Sequence, residues 1–268
     1  MILSSKTHLF GIIADPVDHL SAPQRFQALF AEWQYDGLMV ALHVGPSDLS
    51  AFLLAARRLR NLKGLVVTVP HKVTALDLLD SITETARMVG AVNVISRHDD
   101  GSLHGDQMDG LGFVEGLNSK GYNVAGRSVF ITGAGGASAG IGFALAGAGA
   151  SRITIYNRTL QRAGTLCERI ARFYPHCRVS TGTRNPSGHD IVVNATTLGI
   201  HEDDPMPFDC SGLHPSMLAA DVIAQPKETP FLRAAAQAGC SIFHGEEMIK
   251  PQMAQLAKFM GANDTREP

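Results

Sequence analysis

Charge of one sign is what this chain lacks first. In 268 residues, 23 lysines and arginines stand against 25 aspartates and glutamates, a formal net charge of −2 with a pI near 6.6. That balance gives no basic face of the kind nucleic acid demands, and no nucleic-acid partner is expected. Cysteine is scarce and unpatterned: Cys167, Cys177, Cys210 and Cys240 form no CxxC pair and no metal-ligand rhythm. Reduced thiols in a cytoplasmic protein are the expectation. The eleven histidines make no HExxH or other regular ligand spacing, so no metal is expected. The stretch from Met1 to His8 has no apolar core long enough for a signal peptide. One uncharged run, Phe130 to Ala150, carries a GxxxG at Gly136 and Gly140 and invites a membrane reading. It is crowded with glycine, which costs about 1 kcal/mol per residue in a helix relative to alanine. It also opens on the strand-like Ser128-Val129-Phe130-Ile131-Thr132, so a nucleotide loop explains it better than a bilayer does.

What is present is a chain with 45% apolar and 18% charged residues, ample for a packed core. Its length suits one large α/β unit or two modest ones. Short apolar runs alternate with helical stretches. In the first third, strands are expected at His8–Ala14, Leu38–Val44, Gly64–Val69 and Ala91–Ser96. Helices are expected at Ala22–Tyr35, from Pro46 through Arg60, Lys72–Leu79 and Ile82–Met88, and His98–Gly105 reads as a polar loop. After a helix at Asp109–Ser119, a second series begins with strands Ser128–Thr132, Arg152–Tyr156, Arg178–Thr181, Asp190–Asn194 and Met217–Val222. Between them lie helices Ser138–Ala148 and Thr159–Phe173; Thr229–Ala238, strand Ser241–His244 and helix Glu246–Met260 close the chain. Such alternation is the mark of βαβ units, and two α/β halves joined near Gly105–Asp109 are the simplest organisation.

In the second half, Gly133-Ala134-Gly135-Gly136-Ala137-Ser138 follows a strand and opens a helix. Small residues there let the backbone turn tightly and approach a pyrophosphate at the helix N-terminus. The run is GxGxxS rather than GxGxxG, and a tight strand-to-helix turn without a ligand would use the same glycines. The end of the next strand decides more. A fold that selects NAD puts an acid there for the ribose 2′-hydroxyl. Here Asn157-Arg158-Thr159 follows the strand, with Arg162 a turn later. A guanidinium suits a 2′-phosphate, whereas two cations at a helix start are unfavourable without an anion to compensate. NADP is therefore the expected cofactor.

In the first half, four clusters sit at strand ends or helix starts: Thr68-Val69-Pro70-His71-Lys72, Ala91-Val92-Asn93, Gly105-Asp106-Gln107-Met108-Asp109, and Lys250-Pro251-Gln252. Each alone has a plain explanation as a surface lysine, turn asparagine, N-cap or helix amide. Together with Gly133–Ser138 and Asn157–Arg162, in this order and spacing, they resemble the shikimate dehydrogenases over nearly the whole chain. Asn194-Ala195-Thr196 before Gly199, and Asp221 before Pro226, Thr229 and Pro230, are further echoes.

The resemblance implies an α/β fold of two α/β domains. One is an N-terminal substrate domain with a mostly parallel sheet, residues 1–108, completed by a C-terminal helix at 245–268. The other is a Rossmann-type NADP domain at 109–244, with a cleft between the two. It implies a cytoplasmic, NADP-dependent dehydrogenase acting on a small alicyclic hydroxy acid, in the shikimate pathway of aromatic amino acid biosynthesis, as a monomer or homodimer. Lys72 and Asp109 match the family's pair at the reacting hydroxyl. Oxidising a carbinol sends a hydride to the nicotinamide and a proton to a base. An ordinary lysine is a poor base at neutral pH, so Asp109 is read as an orienting acceptor and Lys72 as the proton shuttle. Thr68, Asn93 and Gln252 match contacts to substrate hydroxyls. Gly133, Ala134, Gly135, Gly136, Ala137, Ser138, Asn157, Arg158, Thr159, Arg162, Val222 and Gly245 match nucleotide contacts.

The departures fall in one pocket. Where the family presents two hydroxyl residues spaced by one before a proline, this chain has Leu20 and Ala22 ahead of Pro23. Val66 replaces an asparagine, Met108 a threonine and Ala224 a tyrosine. An unpaired buried carboxylate is costly, so shikimate is expected to be a poor substrate unless Ser21, Lys250 or His19 takes its charge. Two alternatives stay open: an ordinary shikimate or quinate dehydrogenase with a relocated carboxylate anchor, and a non-catalytic NADP-binding sensor.

Overall fold

The structure is a computed structural model that describes residues 3–18 and 20–265. The chain forms two compact units, Met1–Met108 with Gln252–Pro268, and Asp109–Pro251.

In the first unit β1 (His8–Ala14), α1 (Ala22–Glu32), β2 (Gly37–His43), α2 (Leu49–Ala56) and β3 (Leu62–Val67) make parallel crossovers, with β1 paired to both β2 and β3. A 3-10 turn at Thr74–Leu78, β4 (Ser81–Ile82), α3 (Glu84–Val89), β5 (Val94–Arg97) and β6 (Leu103–Asp106) complete a sheet of order β2-β1-β3-β5-β6-β4. The third pairing changes direction: β5 runs antiparallel to both β3 and β6, and β4 is parallel to β6. The core between sheet and helices holds Ile13, Leu53, Leu62, Leu65, Val67, Ile95 and Leu103, aliphatic side chains that tile a pleated face.

Several boundaries differ from the sequence reading, each for a local reason. β6 occupies part of the expected loop at His98–Gly105. It shows the period-2 burial of a strand, Leu103 and Gly105 in and His104 and Asp106 half out, too short and polar to show in the sequence. The expected helix from Lys72 is only a 3-10 turn, because the Lys72 carbonyl is taken by the Val92 N–H at 2.8 Å instead of by the next turn. α1 stops short of Tyr35 because Gln34 adopts φ of +53°, which ends a helix. Pro46 precedes α2 without opening it; a turn with Asp48 N–H bonded to the Gly45 carbonyl comes first.

The second unit begins with α4 (Asp109–Ser119) and alternates β7 (Ser128–Thr132), α5 (Gly136–Gly147), β8 (Arg152–Tyr156), α6 (Leu160–Phe173), β9 (Arg178–Thr181), β10 (Ile191–Asn194), β11 (Leu218–Asp221), α7 (Pro230–Gln237) and β12 (Ser241–Phe243). Its sheet has the order β12-β11-β10-β7-β8-β9 and every pairing in it is parallel. The strand order reverses at β7, the crevice where open parallel sheets bind ligands at their carboxyl ends. α8 (Gly245–Phe259) follows, and the boundary between the units falls inside it, after Pro251 rather than ahead of Gly245.

The charge-free stretch after Phe130 packs inside this unit. A Cβ on Gly110 of α4 would lie 2.2 Å from the Gly140 carbonyl and 2.6 Å from Ala144 Cβ, so glycine is what lets α4 and α5 approach. Among the described residues no helix is long and apolar enough to cross a membrane.

Candidate active site

The phosphate-type loop is built by β7 and α5. Gly133 leaves β7 with φ of +110°, and a Cβ on it would meet the Ala195 carbonyl at 2.8 Å, so only glycine fits. Gly135 stands at the N-cap of α5 with open space where its Cβ would be, which leaves its backbone approachable. Ser138 is fully buried and donates its hydroxyl to the Gly133 carbonyl at 2.6 Å. Its part in this loop is to shape the turn from beneath. At the foot of the loop Thr132 Oγ1 is buried without a partner. These features suit a dinucleotide: a cradle that a side chain would fill and a helix N-terminus for the pyrophosphate.

At the end of β8, Asn157 donates through Nδ2 to the Thr159 carbonyl at 2.9 Å, shaping the turn into α6. Thr159 is the N-cap of α6 but makes no side-chain capping bond. Arg158 and Arg162 are exposed, and neither side chain bonds another described residue. Two uncommitted guanidinium groups at the positive end of a helix are destabilising alone and match an anion. No acid stands at this strand end, so the donor set fits a 2′-phosphate and not a bare ribose.

In the first unit, β3 and β5 position the polar set. Thr68 follows β3, half-buried, its N–H bonded to the Ile13 carbonyl at 3.1 Å. Asn93 precedes β5 and is 2% exposed. Its Oδ1 accepts the Met108 N–H at 2.8 Å and its Nδ2 donates to Gln252 Oε1 at 3.4 Å. Lys72 is half-buried and its carbonyl anchors Val92, one residue from Asn93, so the lysine and the amides belong to one corner of this unit. Asp109 opens α4 in the second unit and is buried. His71, which the sequence leaves near the pocket, is 1% exposed, with Nε2 2.7 Å from the Val44 carbonyl. It ties its loop to the end of β2.

Leu20 and Ala22 flank the start of α1, both half-buried, and Val66 is buried in β3. Ser21 is the N-cap of α1, but its hydroxyl accepts from Arg25 Nε at 3.1 Å and is engaged inside its own helix. Lys250 is exposed and 3.9 Å from Glu246 one turn earlier, a weak surface pair. His19 lies outside the described residues. Val222 and Gly245 meet in the second unit: a Cβ on Gly245 would stand 2.8 Å from the Val222 carbonyl carbon and 2.4 Å from the Ile223 oxygen.

Asn194, Asp221 and Thr229, which the sequence offers only as echoes of the family pattern, form a buried constellation in the fold. Asp221, at the end of β11, is fully buried. Its oxygens accept from Asn194 Nδ2 at 3.2 and 3.1 Å, the Ile223 N–H at 3.0 Å and the Thr229 hydroxyl at 2.8 Å. Burial pushes its carboxyl up to about 6, and the hydrogen bonds only partly offset this. The available signal was a pair of polar residues, Asn194 and Asp221, each closing an apolar strand. Among the described residues no group of three His, Cys, Asp or Glu is placed to hold a metal ion, and all four cysteines are free thiols.

Comparison with known proteins agrees with this geometry. A family model described as the shikimate dehydrogenase substrate binding domain matches residues 12–95, and one described as shikimate / quinate 5-dehydrogenase matches residues 116–200. A curated shikimate dehydrogenase (NADP(+)) from Rubrobacter xylanophilus is 38% identical over 251 residues, spanning 92% of this chain and 88% of that protein. A crystal structure of a shikimate dehydrogenase in complex with NADP+ superposes with a TM-score of 0.88 at 30% identity, covering 97% of this chain and 92% of the other. The ligand-free 5-ketofructose reductase of a Gluconobacter strain also matches, with a TM-score of 0.82 at 30% identity over 97% of this chain and 96% of that one. With both domain models in order and relatives spanning nearly its full length, the chain belongs to the shikimate dehydrogenase family of NADP-linked oxidoreductases.

Proposed function

We propose that this protein interconverts a secondary hydroxyl and a ketone on a shikimate-like alicyclic hydroxy acid, using NADP(H). The observation that carries the reading is that the chain keeps Lys72, Asp109, Thr68, Asn93 and Gln252, the family's polar set for a ring hydroxyl, while Leu20, Ala22 and Val66 stand where the family has polar residues. NADP, when bound, accepts or supplies the hydride. Arg158 and Arg162 hold its 2′-phosphate, and the loop from Gly133 to Ser138 receives the pyrophosphate. Lys72 moves the hydroxyl proton, and Asp109 serves as an orienting acceptor. Thr68, Asn93 and Gln252 fix which hydroxyl is presented. Retention of the lysine and the aspartate together speaks against a non-catalytic sensor.

Leu20 and Ala22 cannot donate hydrogen bonds to a carboxylate, which leaves the Ser21 hydroxyl, held through its oxygen by Arg25, as the one side-chain donor among these three positions. A second reading follows from that, and from the similarity to a 5-ketofructose reductase: a neutral polyhydroxy ketone as substrate. A panel of cyclic hydroxy acids, neutral cyclic polyols and keto-sugars, followed by NADPH absorbance, tests both. Turnover on none of them would refute the oxidoreductase assignment for this pocket. Turnover confined to neutral compounds would select the second reading.

A further inference from the structure

The buried polar cluster at the ends of β10 and β11 stands outside the catalytic set, yet its ties run to both edges of the dinucleotide loop system. Asn194 uses Oδ1 to accept the Thr196 N–H and hydroxyl at 3.2 and 2.7 Å, and Nδ2 also donates to the Leu198 carbonyl at 3.0 Å. It therefore sets the backbone after β10, whose Ala195 carbonyl is what excludes a side chain from Gly133. Asp221 fixes Ile223 by its N–H, and the Val222–Ile223 backbone is what excludes a side chain from Gly245. Thr229 closes the circuit: its hydroxyl donates to Asp221 and accepts the Leu232 N–H to cap α7. One carboxylate thus holds the backbone that lies against the first glycine of the phosphate loop and the backbone that lies against the start of α8. All of this is at the carboxyl ends of the strands, next to the switch point where an open parallel sheet takes its ligand.

We infer that Asp221 is a positioning residue for the dinucleotide: its ionised carboxylate, as acceptor of Asn194, Ile223 and Thr229, sets the loops after β10 and β11 in the conformation that binds cofactor. The inference rests on the dinucleotide reading of this unit. A carboxylate meets the requirement with both oxygens accepting: three donors make four contacts to it, and an acid or amide would lose one acceptor and force the Thr229 hydroxyl to turn or set an N–H against Asn194 Nδ2. The group titrates high enough to matter, about 6, since burial outweighs its hydrogen bonds. Among the described residues no cation contributes to its shift. β10 and β12 present no titratable side chain beside it. Arg233 of α7 bonds Glu202 and the Glu228 carbonyl. Asp204 in the loop after β10 accepts from Gly199 and His201 backbone, and His244 after β12 bonds the Lys227 carbonyl. Lys227 and Glu228 in the loop after β11 are exposed.

The test is NADP+ affinity by calorimetry across pH for the full-length protein and Asp221→Asn. The dinucleotide's own phosphate titrates in both proteins, so the ratio of the two dissociation constants isolates the carboxylate. Loss of one charge-assisted bond sets the expected ratio at about tenfold at pH 8, shrinking to about threefold at pH 5.5 as the wild-type group takes up its proton. Wild-type affinity in the variant at pH 8, or a ratio that does not change with pH, overturns the inference. If no NADP+ binds the wild type at any pH, the dinucleotide reading itself falls, and this inference with it. Thr229→Val and Thr229→Ser provide the same test should Asp221→Asn fail to fold. Weakened affinity in the valine variant, restored by serine, supports the circuit; equal affinity in the two refutes it.

Discussion

Replacing Arg158 by glutamate separates cofactor choice from everything else in the second unit. Arg158 is exposed at the entry to α6, and its side chain bonds no other described residue, so the substitution breaks no internal contact. Removing a cation from the positive end of α6 relieves an unfavourable interaction of about 0.3–1 kcal/mol, so thermal stability should hold or rise slightly. The loss should appear only against a 2′-phosphate. A hydrogen bond to a charged group is worth roughly 1.5–3 kcal/mol, and solvent screening at this exposed position argues for the lower end. That converts to about a tenfold loss of NADP affinity, enlarged by repulsion from the new carboxylate and limited by the remaining Arg162. NAD has no phosphate at that position, so its affinity should change little. Calorimetric dissociation constants for NADP+ and NAD+ in both proteins give the answer. Unchanged NADP+ affinity in Arg158→Glu, or a wild type that binds NAD+ as tightly as NADP+, would refute the assignment of this strand end.

Lys72→Ala should lower kcat by about 10²–10⁴-fold, the usual scale of general acid–base catalysis, and leave NADP affinity nearly unchanged; full activity in both Lys72→Ala and Asp109→Asn would remove them from the mechanism. Shikimate should be a poor substrate of the natural protein, and the double change Leu20→Ser with Ala22→Ser should raise its kcat/KM, by about a hundredfold or more if both hydroxyls engage the carboxylate. A natural-protein kcat/KM for shikimate at or above about 10⁴ M⁻¹s⁻¹ would mean another anchor, with Lys250 the first residue to replace. Gly110→Ala should destabilise the second unit by about 1–3 kcal/mol in chemical denaturation, since its Cβ would meet the Gly140 carbonyl at 2.2 Å. An unchanged denaturation midpoint would show that α4 and α5 can separate without cost. Burial raises the folded-state carboxyl of Asp221 to about 6 from its ordinary 3.8, so its ionisation costs the fold up to about 3 kcal/mol above pH 6. That cost is relieved as pH falls through 6, so the wild type should gain stability relative to Asp221→Asn between pH 8 and pH 5, and a constant difference would contradict it.

Much was settled by local chemistry that a sequence displays. The strands His8–Ala14, Ser128–Thr132, Arg152–Tyr156 and Arg178–Thr181 and the helix Asp109–Ser119 were legible to the residue, because apolar runs bounded by turn residues carry their own period. The glycines after β7 and the arginines after β8, on which the proposed nucleotide site rests, were legible because backbone approach and charge are properties of residue type. Other features needed the third dimension. Lys72 begins no full helix because Val92, distant in sequence, takes its carbonyl. β6 exists because β5 and β4 pair with it on either side. Ser21 and Ser138 both look like hydroxyls on offer, yet one is engaged by Arg25 and the other by the Gly133 carbonyl. Asp221 is the plainest case. In sequence it closes a short apolar strand; in the fold it is fully buried and meets Asn194, Ile223 and Thr229. A buried charge derives its meaning from its partners, and only the tertiary structure brings those partners together.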